Sequence, residues 1–203
     1  MPQFRLDYAT PPEWVARVEE DPLRLLSDHA HCELKAAASA QTLIVRNPRK
    51  GSLVRELAAV ASEELAHFRL VIEALEARGG KLDFAEPSPY AEGLQSAAGG
   101  DSPDKLLDRL LLSHLIELRS LERFHLLAEH LADRELGALY RGLMASEANH
   151  QALFVRLAKE LHDPERVEAR EAVLRAREGA LVARLGFDGR MHCGLADAQG
   201  ARR

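Results

Sequence analysis

Cysteine is nearly absent from this sequence: among 203 residues there are two, Cys32 and Cys193. One falls inside a helical pattern and the other in a polar stretch, which excludes a disulfide framework and fits a reducing compartment. Aromatic residues make up only 5%, and the 13 glycines and nine prolines gather at a few sites. A β-sandwich or barrel would need turn residues spread evenly along the chain, so both are excluded. Charge of one sign is not in excess. Lys and Arg total 27 against 32 Asp and Glu, a net charge of −5, so any nucleic-acid contact has to come from a local patch. No uncharged run approaches the roughly 20 residues of a membrane-spanning helix. The opening MPQFRLDYATPPEW has neither the basic start nor the apolar run of a signal peptide. A soluble, cytoplasmic protein is expected.

What is abundant is Leu, Ala, Glu and Arg, with 46% hydrophobic residues overall. That composition favours helix, and the length suits one domain over 1–203 with a sizeable core. Thr10 and the prolines after it open a short helix. Asp21–Pro22 opens the first long helix, which runs to about Arg46 and stops before Asn47–Pro48. Ser52 caps a second, reaching Arg78 before Gly79–Gly80. The stretch from Lys81 to Asp101 is rich in Gly, Pro and Ser and has no clear period. Ser102–Pro103 opens a third long helix to about Leu131, and Asp133 caps a fourth to His162. Asp163–Pro164 starts a helix to about Leu185, and 186–203 reads as a polar tail. Two short links and one long one predict an all-α fold. It is a ferritin-like four-helix bundle over about 22–162, with one long crossover connection and flanking N- and C-terminal helices.

Within these helices, steps of four and three trace the stripe that faces a core. In the second long helix the stripe reads Leu53, Leu57, Val60, Glu64, His67, Val71, and in the fourth Leu136, Tyr140, Leu143, Glu147, His150, Phe154. Both carry Glu-x-x-His where a solvated glutamate does not belong. The first and third helices place a single carboxylate on theirs, Glu33 and Glu117. Glu122, five residues past Glu117, turns well off the stripe and is set aside. Glu33 to Glu64 is 31 residues and Glu117 to Glu147 is 30, as if one hairpin were used twice. Each of the four glutamates falls near the middle of its helix. Burying four carboxylates and two imidazoles is very unfavourable without counter-charge. Two divalent cations supply it, and oxygen-rich ligation with one imidazole per ion suits iron or manganese better than zinc.

Other residues read more plainly. His29 and His114, a turn before Glu33 and Glu117, are ordinary partly buried histidines unless they support those glutamates by hydrogen bonds. Cys32 and Tyr140 read as packing. Small residues flank Glu33 (Ala30, Ala37, Ala40) and Glu117 (Ser113, Ser120), leaving either a cavity for a small apolar group or close helix packing. A metal pair in such a bundle serves several chemistries: iron oxidation of ferritin or rubrerythrin type, peroxide breakdown as in a manganese catalase, or hydroxylation of an organic substrate.

The stretches HCELKAAASAQTLIVRNP, EELAHFRLVIEALEARGG, LIELRSLERFHLLAEHL and LMASEANHQALFVRLA, with GRMHCG near the end, together resemble the tRNA 2-methylthio-N6-isopentenyladenosine hydroxylases. These are a ferritin-like non-haem diiron family. The resemblance implies that Glu33, Glu64, His67, Glu117, Glu147 and His150 ligate two irons. It also implies O2-dependent hydroxylation of the isopentenyl group on the hypermodified adenosine next to the tRNA anticodon, with electrons from an external donor of ferredoxin type and its reductase. For the tRNA, the densest basic run is RNPRK. Its Arg46, Arg49 and Lys50 lie on a turn about 20 Å along the helix from Glu33, at about 1.5 Å per residue. It is either a phosphate contact or a solvated turn.

Overall fold

The computed structural model describes residues 4–99 and 104–196. Among them are seven helices: α1 (Glu13–Val18), α2 (Pro22–Arg46), α3 (Gly51–Ala77), α4 (Pro89–Ala98), α5 (Lys105–His130), α6 (Arg134–Leu161) and α7 (Pro164–Val182). Extended pairing among the described residues is limited to one isolated bridge between Gly186 and Ala196. The all-α expectation holds. No helix among the described residues is long and apolar enough to cross a membrane. The fold divides into two compact units: Asp21–Glu86, and the described residues before Asp21 together with those from Pro87 onward.

The smaller unit is the hairpin of α2 and α3. Asp21 accepts a hydrogen bond from the Arg24 amide at 3.1 Å and Pro22 fills the first helical position, so the Asp–Pro start signal works as expected. Asn47 closes α2, donating from Nδ2 to the Leu43 carbonyl at 2.9 Å. α3 begins one residue before Ser52, with Lys50 at the cap position, so Ser52 is not the cap. Its end is the expected one. Gly79 has φ of 77°, and the Gly80 amide reaches back to the Leu75 carbonyl at 3.0 Å. Leu25, Leu26, Ala30, Ala37 and Ala40 of α2 are buried, as are Leu53, Leu57, Val60, Val71 and Leu75 of α3. The chain then straps back over α2. The Asp83 amide donates to Ser27 Oγ at 3.0 Å, and His31 Nε2 donates to the Asp83 carbonyl at 2.8 Å.

The larger unit is built on the hairpin of α5 and α6. Asp133 caps α6 as expected, accepting from the amides of Glu135 and Leu136 at 3.0 Å each, and Asp163 caps α7 through the Arg166 amide at 3.0 Å. The expected opening of α5 at Ser102–Pro103 lies outside the described residues; its cap is Asp104, which accepts from the Leu107 amide at 3.1 Å. α7 ends at Val182, short of Leu185, because the backbone tightens there into a turn, with the Arg184 amide on the Leu181 carbonyl at 3.0 Å. Thr10 does not cap α1, whose cap position is Pro12. Its amide and hydroxyl go instead to Glu122, at 2.8 and 2.6 Å.

Two expectations are corrected here. The segment expected to be irregular contains α4, capped by Ser88 Oγ on the Ala91 amide at 3.2 Å, with Tyr90, Leu94 and Ala98 buried. Gly93 had hidden it. A Cβ at that position would fall 2.7 Å from Leu181 Cδ1, so the glycine is there to let α4 approach α7 closely. Residues 186–196, expected to belong to a polar tail, are packed instead: Met191, His192 and Cys193 are buried. The buried Arg123 supplies the reason, donating to the Met191 and Cys193 carbonyls at 2.9 and 2.8 Å. The remainder of that expected tail, 197–203, lies outside the described residues.

Candidate metal centre

In the smaller unit the α2–α3 packing puts Glu33, Glu64 and His67 side by side and buried, with ligand atoms all within 4.8 Å of one another. His67 Nδ1 stands 3.4 Å from Glu33 Oε2 and 3.5 Å from Glu64 Oε2. His29 Nε2 donates to Glu33 Oε1 at 2.7 Å; a carboxylate only accepts, which fixes that imidazole's hydrogen on Nε2. Burial alone would raise the Glu33 carboxyl. The hydrogen bond and charge of His29, then the bond of His67, outweigh it and hold the group well below the usual carboxylate range. Burial would likewise lower His67, but its bonds to Glu33 and Glu64 push it up to about 10. Both shifts say the same thing: the pocket is a strong well for positive charge.

The larger unit repeats the arrangement. Glu117 from α5 and Glu147 and His150 from α6 are buried, again with ligand atoms all within 4.8 Å. Two ligand atoms on one divalent ion, each at about 2.1 Å, are at most about 4.2 Å apart, so each triad has the spread a cation draws together. Ser146 Oγ lies 3.5 Å from His150 Nε2, one helical turn earlier. Every residue expected to ligate metal is thus buried in one of two matching Glu–Glu–His triads. Carboxylate-rich sets with a single imidazole fit iron binding, and their lack of thiolate and second histidine disfavours zinc.

The neighbours fare differently. His29 does support Glu33, so its reading as an ordinary histidine is corrected. His114 does not support Glu117: its Nδ1 pairs with the Gln151 carbonyl at 2.9 Å, and burial pulls its imidazole below the usual range. His114 and Gln151 line a cavity of about 730 Å³ together with Leu118, Leu121 and Val155, but none of the triad residues reaches it. Ser120 is not open space either, since its hydroxyl lies 3.1 Å from His192 Nε2. Tyr140 packs on Phe124, with ring centroids 5.2 Å apart. Both cysteines are free thiols, and burial, then Asp28, raises Cys32 well above its ordinary value. Arg46, Arg49 and Lys50 are exposed around the α2–α3 turn.

Sequence reasoning missed a second buried cluster. Arg119, fully buried, donates through Nε and Nη2 to the two oxygens of Glu178 at 2.9 and 2.8 Å, and through Nη1 to Glu122 at 2.5 Å. Tyr90 donates to Glu178 at 3.1 Å. Glu122, which lies off the stripe of Glu117, is thus a buried acceptor for Arg119 and Thr10. The only sequence signal was the density of charge on α5 at positions too buried to be a surface.

A helical chain that buries two Glu–Glu–His triads at mid-helix, with its long connection between the second and third long helices, belongs to the ferritin-like carboxylate metalloproteins. Its likeness to a solved structure agrees. A protein from Synechococcus described as protein 43 with aldehyde deformylating oxygenase activity shares 35% identity at a TM-score of 0.89, over 97% of this chain and 98% of that one. The family model for tRNA-(MS[2]IO[6]A)-hydroxylase (MiaE) matches residues 2–193. The tRNA 2-(methylsulfanyl)-N(6)-isopentenyladenosine(37) hydroxylase of Pseudomonas putida KT2440 is 35% identical over 95% of this chain and 93% of its own length. The protein of that name from Salmonella typhimurium LT2 is 28% identical over 92% of this chain and 86% of its own. The chain belongs to the MiaE family of tRNA hydroxylases.

Proposed function

We propose that this chain hydroxylates the isopentenyl group of 2-methylthio-N6-isopentenyladenosine beside the tRNA anticodon, using O2. Glu33, Glu64, His67, Glu117, Glu147 and His150 hold two iron ions for it. The observation that carries the reading is the pair of buried triads, joined to family membership over nearly the whole chain. Membership also favours a hydroxylase over a ferroxidase, a rubrerythrin-like protein or a manganese catalase. Each compact unit offers two carboxylates and one imidazole, and in this reading residues 1–203 are a single ferritin-like domain.

When bound, the iron pair supplies the electrons and open positions at which O2 is reduced. The chain's residues prepare the site. His29 holds Glu33 in one orientation at 2.7 Å, and Ser146 steadies the His150 ring. Buried side chains on the same stripes, among them Val60, Leu143 and Phe154, keep water from the reacting centre. In this reading the reducing electrons come from an external donor protein, of ferredoxin type with its reductase, as the resemblance to the family implies.

The reading is tested by nucleoside analysis of tRNA from cells lacking the protein. The hydroxylated nucleoside should vanish and return on complementation; its persistence in the deletion strain would overturn the assignment. The exposed turn Arg46, Arg49 and Lys50 is the phosphate contact in this reading. Changing all three to Gln is expected to raise KM for tRNA and flatten the dependence of log K on log salt by as much as about 3, with kcat and iron content unchanged. An unaltered salt slope would return the turn to plain solvation.

A further inference from the structure

The GRMHCG stretch, residues 189–194, lies outside the two triads, and one of its side chains is held from several directions. Arg123, 1% exposed, fastens the two carbonyls that flank His192, those of Met191 and Cys193, at 2.9 and 2.8 Å. Arg123 is itself fixed by Thr10 Oγ1 at 3.1 Å and by the Trp14 ring, 4.2 Å from its guanidinium carbon. Tyr90 of α4 stacks on the His192 ring, centroids 4.7 Å apart and planes 12° off parallel. Ser120 of α5 meets His192 Nε2 at 3.1 Å. His192 as a residue retains 8% exposure. Ser120 follows Glu117 by three residues, one turn along the same face of α5, and both are buried. A buried hydroxyl one helical turn from the proposed ligand Glu117 is thus joined to the His192 imidazole.

We propose that His192 and Ser120 form a proton inlet to the metal centre, an inference that rests on the hydroxylase reading above. Hydroxylation converts one C–H bond and one O2 into a C–OH bond and one water, and it consumes two electrons and two protons. The electrons come from the external protein reductant; the protons must come from solvent into a site that otherwise excludes it. A hydroxyl both donates and accepts, and an imidazole gains and loses a proton near neutral pH. His192 releases the proton on Nε2 to Ser120 Oγ while Ser120 passes its own hydroxyl proton on to the oxygen that leaves as water; the ring, left neutral with its hydrogen on Nδ1, exchanges protons with solvent and regains the one on Nε2 before the second pass. Two passes complete one turnover. Arg123 and Tyr90 are positioning residues for this step, keeping the ring at Ser120.

The test uses the iron-loaded full-length chain with tRNA substrate, comparing wild type with Ser120→Ala, Ser120→Thr and His192→Gln. Three quantities are followed: hydroxylated nucleoside per O2 consumed, peroxide released, and the solvent deuterium effect on kcat. In the metal-free protein, the 15N resonance of the His192 imidazole and the thermal midpoint are measured as well. Ser120→Ala and His192→Gln are each expected to lower kcat by about 100-fold and divert O2 to peroxide, the scale of a lost general acid. KM for tRNA, iron content and thermal midpoint should stay unchanged. The imidazole resonance should move in Ser120→Ala, and Ser120→Thr, which keeps the hydroxyl, should restore both coupling and rate. Wild-type coupling and rate in Ser120→Ala would overturn the inlet. So would a loss of rate that tracks a lower thermal midpoint and is not restored by threonine, which would make the contact structural. Should wild type itself form no hydroxylated nucleoside, the hydroxylase reading fails and the inlet with it; an active wild type matched by Ser120→Ala sinks the inlet alone.

Discussion

Replacing Glu117 with Ala is expected to remove bound iron and lower hydroxylation by at least about 100-fold, since even outer partners of a metal ligand cost 10–100-fold when lost. The more diagnostic variant is the isosteric Glu117→Gln, because its effect on stability should change sign with the metal. Without iron, Glu117 and Glu147 are two buried carboxylates in a cluster that also holds the His150 imidazole, with ligand atoms within 4.8 Å of one another. Like charges at that range repel, and burial penalises the charge on each. Neutralising one should therefore stabilise the metal-free protein, by about 1 kcal/mol or about 2–4 °C in midpoint for a chain of this size. With ferrous iron present the order should reverse, because wild type gains binding energy that the variant lacks. Calorimetry with and without iron, alongside iron analysis, decides the point. A Gln variant that binds iron as wild type does, or that is weaker in both states, would mean these carboxylates serve packing and not a cation.

The second large effect is expected where there is no metal at all. Glu178→Ala leaves the Nε and Nη2 donors of Arg119 buried without their acceptors and removes the partner of the Tyr90 hydroxyl. Breaking one side of a fully buried pair costs about 3–5 kcal/mol. The thermal midpoint should fall by about 10 °C or more. Arg119→Met combined with Glu178→Leu should recover most of this, since it removes both charges together. Glu122→Ala should act in the same direction, because Glu122 accepts from the Thr10 amide and hydroxyl and from Arg119. It should spare iron binding at low temperature and cost stability on heating. Midpoints within a degree of wild type for both single variants would show that the network contributes nothing net.

These two sites differ in how far they could be read in advance. The triads are legible because the i, i+3 spacing of Glu and His is fixed by helix geometry, and because each pair sits on an otherwise apolar stripe where charge needs an explanation. The Arg119–Glu178 network is not. It joins α5 to α7, and nothing local in the sequence couples residues 59 positions apart. A single-stripe reading also assumes that the back of a helix faces water, whereas α5 is buried on nearly every side: Leu112, Leu115, Leu118, Arg119, Glu122 and Arg123 are all covered, well away from the stripe of Glu117. The pair His29 and His114 makes the same point. Both sit a turn before a glutamate, yet one bonds its neighbour and the other turns to a carbonyl of α6. α4 escaped notice because a glycine required by packing interrupts its pattern.

Composition and local geometry were enough to establish the all-helical class, the cap residues Asp21, Asp133 and Asp163, and the two short hairpin links. They were also enough to single out the six side chains that cannot be buried without counter-charge. Tertiary packing settled which distant groups share a charge: Arg119 with Glu178, Arg123 with the backbone of 191–193, and His192 with Ser120. The reason is physical. Helical periodicity places a residue on a face, but a buried polar group is satisfied by whatever the folded chain brings to that face, and that partner is set by packing between elements far apart in sequence.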